Sequence, residues 1–229
     1  MFNSDKINEY VDMIGKEQTL SDHYNQIYLY ESLIAGALIY RAKSKPDYDE
    51  SKIIPIITSI LQWIKGTDFY DAPASTRFHG AYEGGLLNHS LSVYNKMVEL
   101  HEVKTFKDVN LGSATLVALT HDWCKIGKYE QYIKNEKNRT TGQWEEKLAY
   151  RWNDKYIGLG HGPQSLIMVS QFCTTSLTSL TFEEMAAIRW HMYTYDVTSY
   201  DVDDLNKCNS KIPLVLLTQF ADQMAAGEN

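Results

Sequence analysis

His121 and Asp122 stand side by side. Three more histidines (His89, His161 and His191) and one aspartate (Asp222) lie at places from which they could converge on that pair. Imidazole and carboxylate are the side chains that hold divalent transition metals. Metal sites do chemistry or hold a fold together, so a converged set would decide most of what this chain does. Taken one at a time, each histidine also fits a hydrogen-bonded place in a core, and Asp222 fits an ion-paired or capping carboxylate. Taken together, the bland reading asks for four histidines and two aspartates placed without purpose on otherwise apolar segments. Asp222 is the sharpest case. It follows the apolar run 214–217, where an unpaired carboxylate is costly to bury.

Convergence requires several helices. Apolar residues spaced three and four apart predict them over 6–14, 26–42, 51–65, 86–101, 111–124, 164–172, 181–192 and 211–226. In 51–65 the stripe is Ile53, Ile56, Ile57, Ile60, Leu61 and Ile64, with Pro55 near the first turn and Gly66 at the end. Segment 111–124 is apolar nearly all round, as a buried helix is, and puts the His-Asp pair at its far end. Thr181 and Glu184 form a capping-box pattern. Residues 67–85 read as a long loop rich in Asp, Pro, Ser and Gly, of a length that is usually functional. Residues 140–142 read as the turn of a hairpin between Tyr132-Ile133 and 144–152. Trp144, Leu148, Tyr150 and Trp152 alternate there, which fits an aromatic face packed on helices or, less readily, one that stacks on a base. His161 falls in a Gly-His-Gly-Pro loop, and 196–204 reads as an acidic loop. The expected fold class is mainly α, a helical bundle with a small β-hairpin insertion. Residues 1–45 are expected to pack on or extend a core formed by 46–229, in one compact unit.

Composition narrows the functions. A chain of 229 residues with 44% hydrophobic residues can build a full core. The net charge of −7 argues against a nucleic-acid binder that works by bulk electrostatics. A phosphate-bearing substrate stays open, because bound cations reverse the local field. Cys124, Cys173 and Cys208 are odd in number and widely spaced, with no disulfide framework or metal-binding pattern. A reducing, cytoplasmic setting is expected. The first ten residues lack the apolar segment of a signal peptide, and the apolar stretch 27–40 is too short to cross a bilayer, so no membrane association is expected. That stretch is more apolar than a surface helix needs, which fits a dimer contact or a lid and leaves a homo-oligomer open.

The order H…HD…H…H…D resembles the HD-domain superfamily of metal-dependent phosphohydrolases. Its most specific pieces are 78–90, from Phe78-His79-Gly80 through Gly84-Gly85-Leu86-Leu87-Asn88-His89, and 120–128, Thr120-His121-Asp122-Trp123-Cys124-Lys125 onward. They are similar to bacterial and phage HD hydrolases, and loosely to the HD domain of a bacterial 3′-to-5′ exoribonuclease. The likeness covers residues 51–229. It implies that His89, His121, Asp122 and Asp222 hold a first metal. It further implies that His161 and His191 serve a second, with Asp122 bridging, and that Lys125 assists at the phosphate. One or two divalent ions per chain follow, with Mn or Fe favoured and Co, Ni, Zn or Mg compatible.

Asp122 and Lys125 are thus the candidate catalytic residues. Arg77, His79, Glu83 and Lys128 are candidate substrate contacts. Arg77 could clamp a phosphate in a fork geometry, and His79 could act as a general acid. Arg77, His79 and Glu83 fit a solvated loop equally well, and Lys125 and Lys128 also fit cations complementing a helix end. The expected activity is metal-dependent hydrolysis of a phosphate ester of a nucleotide or small phosphodiester by an activated water. The expected partner is a small phosphorylated substrate, with no extended nucleic-acid surface. A nuclease trimming short single-stranded RNA or DNA is the enzymatic alternative, and a metal-dependent ligand-binding or sensor module is the non-enzymatic one.

Overall fold

Two helices open the chain, α1 (Ile7–Asp12) and α2 (His23–Ala42), and the second is the axis of the interior. The computed structural model describes residues 3–227. The outer ends of the two expected units, and the start of the segment read as lacking a signal peptide, lie outside the described residues. Asp22 caps α2 by accepting from the backbone N–H of Asn25, which starts the helix before its apolar stripe. Tyr30, Leu33, Ile34, Leu38 and Ile39 are then buried. Helices α3 (Glu50–Lys65), α4 (Gly85–His101) and α5 (Leu111–Thr120) pack around α2. The apolar excess of 27–40 is therefore used inside this chain. In α3 the inward face is Ile53, Ile57, Ile60, Leu61 and Ile64. Pro55 falls in its second turn, not its first, because the helix begins at Glu50. The Ser51 carbonyl forgoes its helical partner there at an exposed position.

Helix α5 stops at Thr120, one residue before His121, and does not run to 124. His121 caps it, Asp122 takes φ −105° and ψ 15°, and a 3-10 turn (Trp123–Lys125) follows. Buried Trp123 anchors this turn. Its indole N–H donates to the Tyr30 hydroxyl at 2.9 Å, which donates to the Leu119 carbonyl at 2.7 Å. The end of α5 is thereby tied to α2. The Gly127 N–H donates to Asp68 Oδ1 at 2.9 Å and ties the same turn to the loop before α4.

The hairpin comprises β1 (Tyr129–Lys137) and β2 (Trp144–Trp152), antiparallel, with Tyr132 opposite Ala149. Its aromatic face does not pack on helices as expected. Trp144, Leu148 and Trp152 are exposed and only Tyr150 is buried, because the strands pair with each other and touch the helices little.

The second half of the bundle is α6 (His161–Ser170), α7 (Phe182–Trp190), α8 (Val202–Lys211) and α9 (Pro213–Gly227). Helix α6 begins at His161, which is not in a loop. Pro163 sits in the first turn, where no backbone N–H is needed. Gly162 lets α6 close on α7, since a Cβ there would lie 2.0 Å from the Arg189 carbonyl oxygen. The capping box of α7 forms as read, with Thr181 and Glu184 bonded reciprocally. The expected acidic loop 196–204 is irregular over 197–201, with Asp196 ending a 3-10 turn (Tyr193–Asp196) and 202–204 opening α8. Only Leu205 of α8 is buried, so no apolar stripe announces this helix in the sequence.

One ion pair locks α2 to α7. Arg41 Nε lies 2.6 Å from Glu184 Oε1, both side chains buried, and Arg41 Nη2 also donates to the Ser179 carbonyl at 2.9 Å. Removing one member of such a pair strands a charge in the core. We expect Arg41→Ala to lower unfolding stability by about 3–5 kcal/mol. Urea denaturation checks this, and a midpoint equal to wild type would show that water reaches Glu184. Among the described residues no helix is long and apolar enough to cross a membrane.

Candidate metal centre

Five helices bring side chains to one place. His89 lies in the second turn of α4, which the Gly84-Gly85 pair starts. Gly84 caps the helix at φ +79°, and a Cβ on Gly85 would lie 2.0 Å from the Gly80 carbonyl oxygen. The loop before α4 therefore folds back onto the helix start. This puts the His79 ring against His89, with centroids 4.9 Å apart. His121 and His191 occupy equivalent positions just past the ends of α5 and α7. Each Nδ1 sits on the carbonyl three residues back, at 2.8 Å from Ala118 and 2.7 Å from Ile188. That bond needs the proton on Nδ1 and leaves Nε2 of the neutral ring as a bare lone pair. His161 opens α6, and Asp222 projects from α9.

Asp122 is the meeting point. Its Oδ1 is 2.6 Å from His161 Nε2 and 3.6 Å from His191 Nε2. Its Oδ2 is 3.5 Å from both His89 Nε2 and His121 Nε2, and 2.6 Å from Lys125 Nζ. Asp222 Oδ1 is 3.0 Å from His89 Nε2 and 3.8 Å from His121 Nε2. The six residues read as metal ligands thus converge.

Electrostatics prepares these groups. Burial works against the charge on Asp122, yet Lys125, His121 and His161 hold it well below the usual carboxylate range. Burial also opposes ionisation of Asp222, and His89 overrides it. Burial pushes His121 down to about 4, pushes His161 down, and with neighbouring His89 takes His79 to about 4. For His191 burial lowers the pKa, but the nearby Asp122 charge raises it on balance. Burial would discharge Lys125, and Asp122 keeps it charged. Ionised carboxylates beside imidazoles that burial keeps neutral, as at His121 and His161, are the state in which such groups bind metal.

The residues fit a metal. The Nε2 atoms of His89, His121 and His191 are buried and have no hydrogen-bond partner among the described residues. Orphaned buried acceptors are costly unless a ligand answers them. His89, His121 and Asp222 form one group whose ligand atoms lie within 4.8 Å of one another; His121, Asp122 and His191 form a second. Asp122, Cys124 and His161 form a third. Cysteine spacing gave no sign of Cys124. Burial and Asp122 push its thiol up to about 12, which makes it the least ready ligand.

A cavity of about 170 Å³ opens over the centre, lined by His79, Asp122, Lys125, His161, His191 and Asp222. Met192, Tyr195, Gln223 and Ala226 complete the lining, and no pattern in the sequence marked them. Of the loop residues offered as substrate contacts, only His79 reaches this cavity. Arg77 and Glu83 are exposed and do not line it, because they fall on an irregular segment with no period to aim them. Lys128 does not line it either: its Nζ lies 4.6 Å from the Trp152 ring.

No protein-family model, curated protein or solved structure matches the chain.

Elemental analysis of protein purified without chelator is expected to find about two divalent ions per chain, falling to about one in His191→Ala. Protein free of metal that also fails to take up Mn²⁺ would exclude a metal role for this cluster.

Proposed function

We propose that this centre hydrolyses a phosphate ester of a nucleotide or a small phosphodiester, with Mn²⁺ or Fe²⁺ bound, as the resemblance to HD-domain phosphohydrolases implies. One observation carries the reading. The two oxygens of Asp122 face different histidines, Oδ1 towards His161 and His191 and Oδ2 towards His89 and His121. A carboxylate so placed can be shared between two ions. His89, His121 and Asp222 would complete one side, and His161 and His191 the other. Divalent ions held there supply Lewis acidity to a phosphoryl oxygen and acidify water.

The remaining chemistry belongs to side chains of this protein. Lys125 keeps its charge, and of its three N–H donors one is engaged by Asp122 at 2.6 Å. The other two serve a phosphate oxygen in the cavity and offset charge that grows as the ester breaks. His79, neutral at ordinary pH, stands on the cavity wall, where it passes a proton between water and a leaving oxygen. Phosphoryl transfer needs chiefly positioning and charge neutralisation, and a small wall of fixed imidazoles and carboxylates supplies both.

With Mn²⁺ added, the protein is expected to hydrolyse bis(p-nitrophenyl) phosphate or p-nitrophenyl phosphate. Asp122→Asn should abolish turnover, and Lys125→Met should lower kcat by about 10²–10³-fold. Circular dichroism establishes that each variant is folded. Full activity in a folded Asp122→Asn protein, or no release of p-nitrophenol by wild type, would refute the reading.

A further inference from the structure

The cavity at the metal centre does not hold a whole nucleotide. It measures about 170 Å³, against roughly 300–1,000 Å³ for sites that enclose a drug-sized ligand. It takes the reacting phosphate and leaves the rest of the substrate outside. A larger groove of about 680 Å³ is walled by the residues just before His79 and by the hairpin. Phe78 belongs to the groove and His79 to the cavity, so adjacent residues about 3.8 Å apart at their Cα atoms separate the two.

The groove has a definite chemistry. Tyr132, Lys134, Ala149 and Arg151 share one face of the hairpin by strand alternation. Ala149 lies directly opposite Tyr132 and is too short to cover its ring. The Arg151 guanidinium sits 5.6 Å from that ring centroid. Across from them, Phe78 is 80% exposed, a large apolar ring held in solvent. Three cations line the groove and no carboxylate does, in a chain of net charge −7. Arg151 is paired with Glu130 at 2.7 Å and Lys134 with Glu136 at 3.7 Å. Arg77 has no ion-pair partner among the described residues, so it is the uncommitted cation. An exposed Phe78 ring, a half-buried Tyr132 ring and the Arg77 guanidinium in one groove match a base and its phosphate: rings stack on any base, and a guanidinium forks to phosphate.

We propose that this groove binds the nucleotide next to the reacting one, its base against Tyr132 and Phe78 and its phosphate on Arg77. The preferred substrate is then a short single-stranded oligonucleotide. This inference rests on the phosphohydrolase reading above. The groove adjoins the metal centre, and a chain of net charge −7 has no excess of cations to hold a long strand by bulk electrostatics.

The test is calorimetric titration of the Mn²⁺-loaded full chain with two poorly hydrolysed ligands, a phosphorothioate-linked adenylate trinucleotide and adenosine 5′-phosphorothioate. The trinucleotide is expected to bind about tenfold or more tightly, as one added stacked base gives. Phe78→Ala with Tyr132→Ala should erase that preference, and Arg77→Ala should shrink it. Phe78→Ala alone, at so exposed a position, gives a variant whose folding is not at risk and should lose part of the preference. Equal wild-type affinities, a preference that survives the double variant, or an equal loss for both ligands would overturn the proposal. Hydrolysis of bis(p-nitrophenyl) phosphate is read on the same preparations. If it fails while the trinucleotide preference holds, the hydrolase reading falls and the groove stands.

Discussion

A buried carboxylate at the centre of the molecule sets the terms for everything around it. Asp122 is almost inaccessible to solvent, and five basic side chains crowd its two oxygens: His89, His121, Lys125, His161 and His191. An ionised carboxylate stripped of water is tolerated only where partners replace the solvent. Lys125 and His161, each at 2.6 Å, make that replacement directly. The other three imidazoles stand back at 3.5 to 3.6 Å, their Nε2 atoms without a hydrogen-bond partner among the described residues. A cation placed among them would give each of these nitrogens a partner.

Such a cluster persists only if its surroundings over-determine it. The ring nitrogens of His121 and His191 are pinned to carbonyls at the ends of their own helices. Those helix ends are pinned in turn. The Trp123–Tyr30–Leu119 chain fixes the end of α5 against α2, and the Arg41–Glu184 pair fixes the start of α7 to the same helix. Gln219 of α9 donates to the carbonyl of Trp190 at 2.9 Å, next to His191. Helix α2 contributes no ligand, yet it carries the anchors for two of the elements that do. The N-terminal helices therefore belong to the mechanics of the site.

The sequence is legible where physics repeats itself along the chain. The stripe of α3 and the capping box of α7 are periodic or local signals, and the structure has both. The candidate ligands are legible for another reason: histidine and aspartate are conspicuous on segments as apolar as α5 and α9. What stays hidden has no period. Helix α8 buries Leu205 alone, and its polar surface reads as loop. The start of α6 is obscured because Gly160, Gly162 and Pro163 read as breakers, although all three suit a helix start. Arg77 and His79 lie two residues apart in an irregular loop, and nothing in their spacing says that one faces the groove and the other the cavity. Cys124 comes near Asp122 only because the chain leaves the helix at His121 and tightens into a 3-10 turn. The open hairpin face runs against expectation because alternation specifies which residues share a face and not what covers it.

The ligands come from widely separated points of the chain, His89 in α4 first and Asp222 in α9 last. On the ribosome, domains form from the N-terminus onward as residues emerge. Helices α1 to α5 leave the ribosome first and carry His89, His121 and Asp122. That half carries three of the six side chains and lacks the wall that α6, α7 and α9 supply. A metal held by this set would meet its complete ligand wall only once α9 has docked, so its choice would fall among the last events in the maturation of this chain.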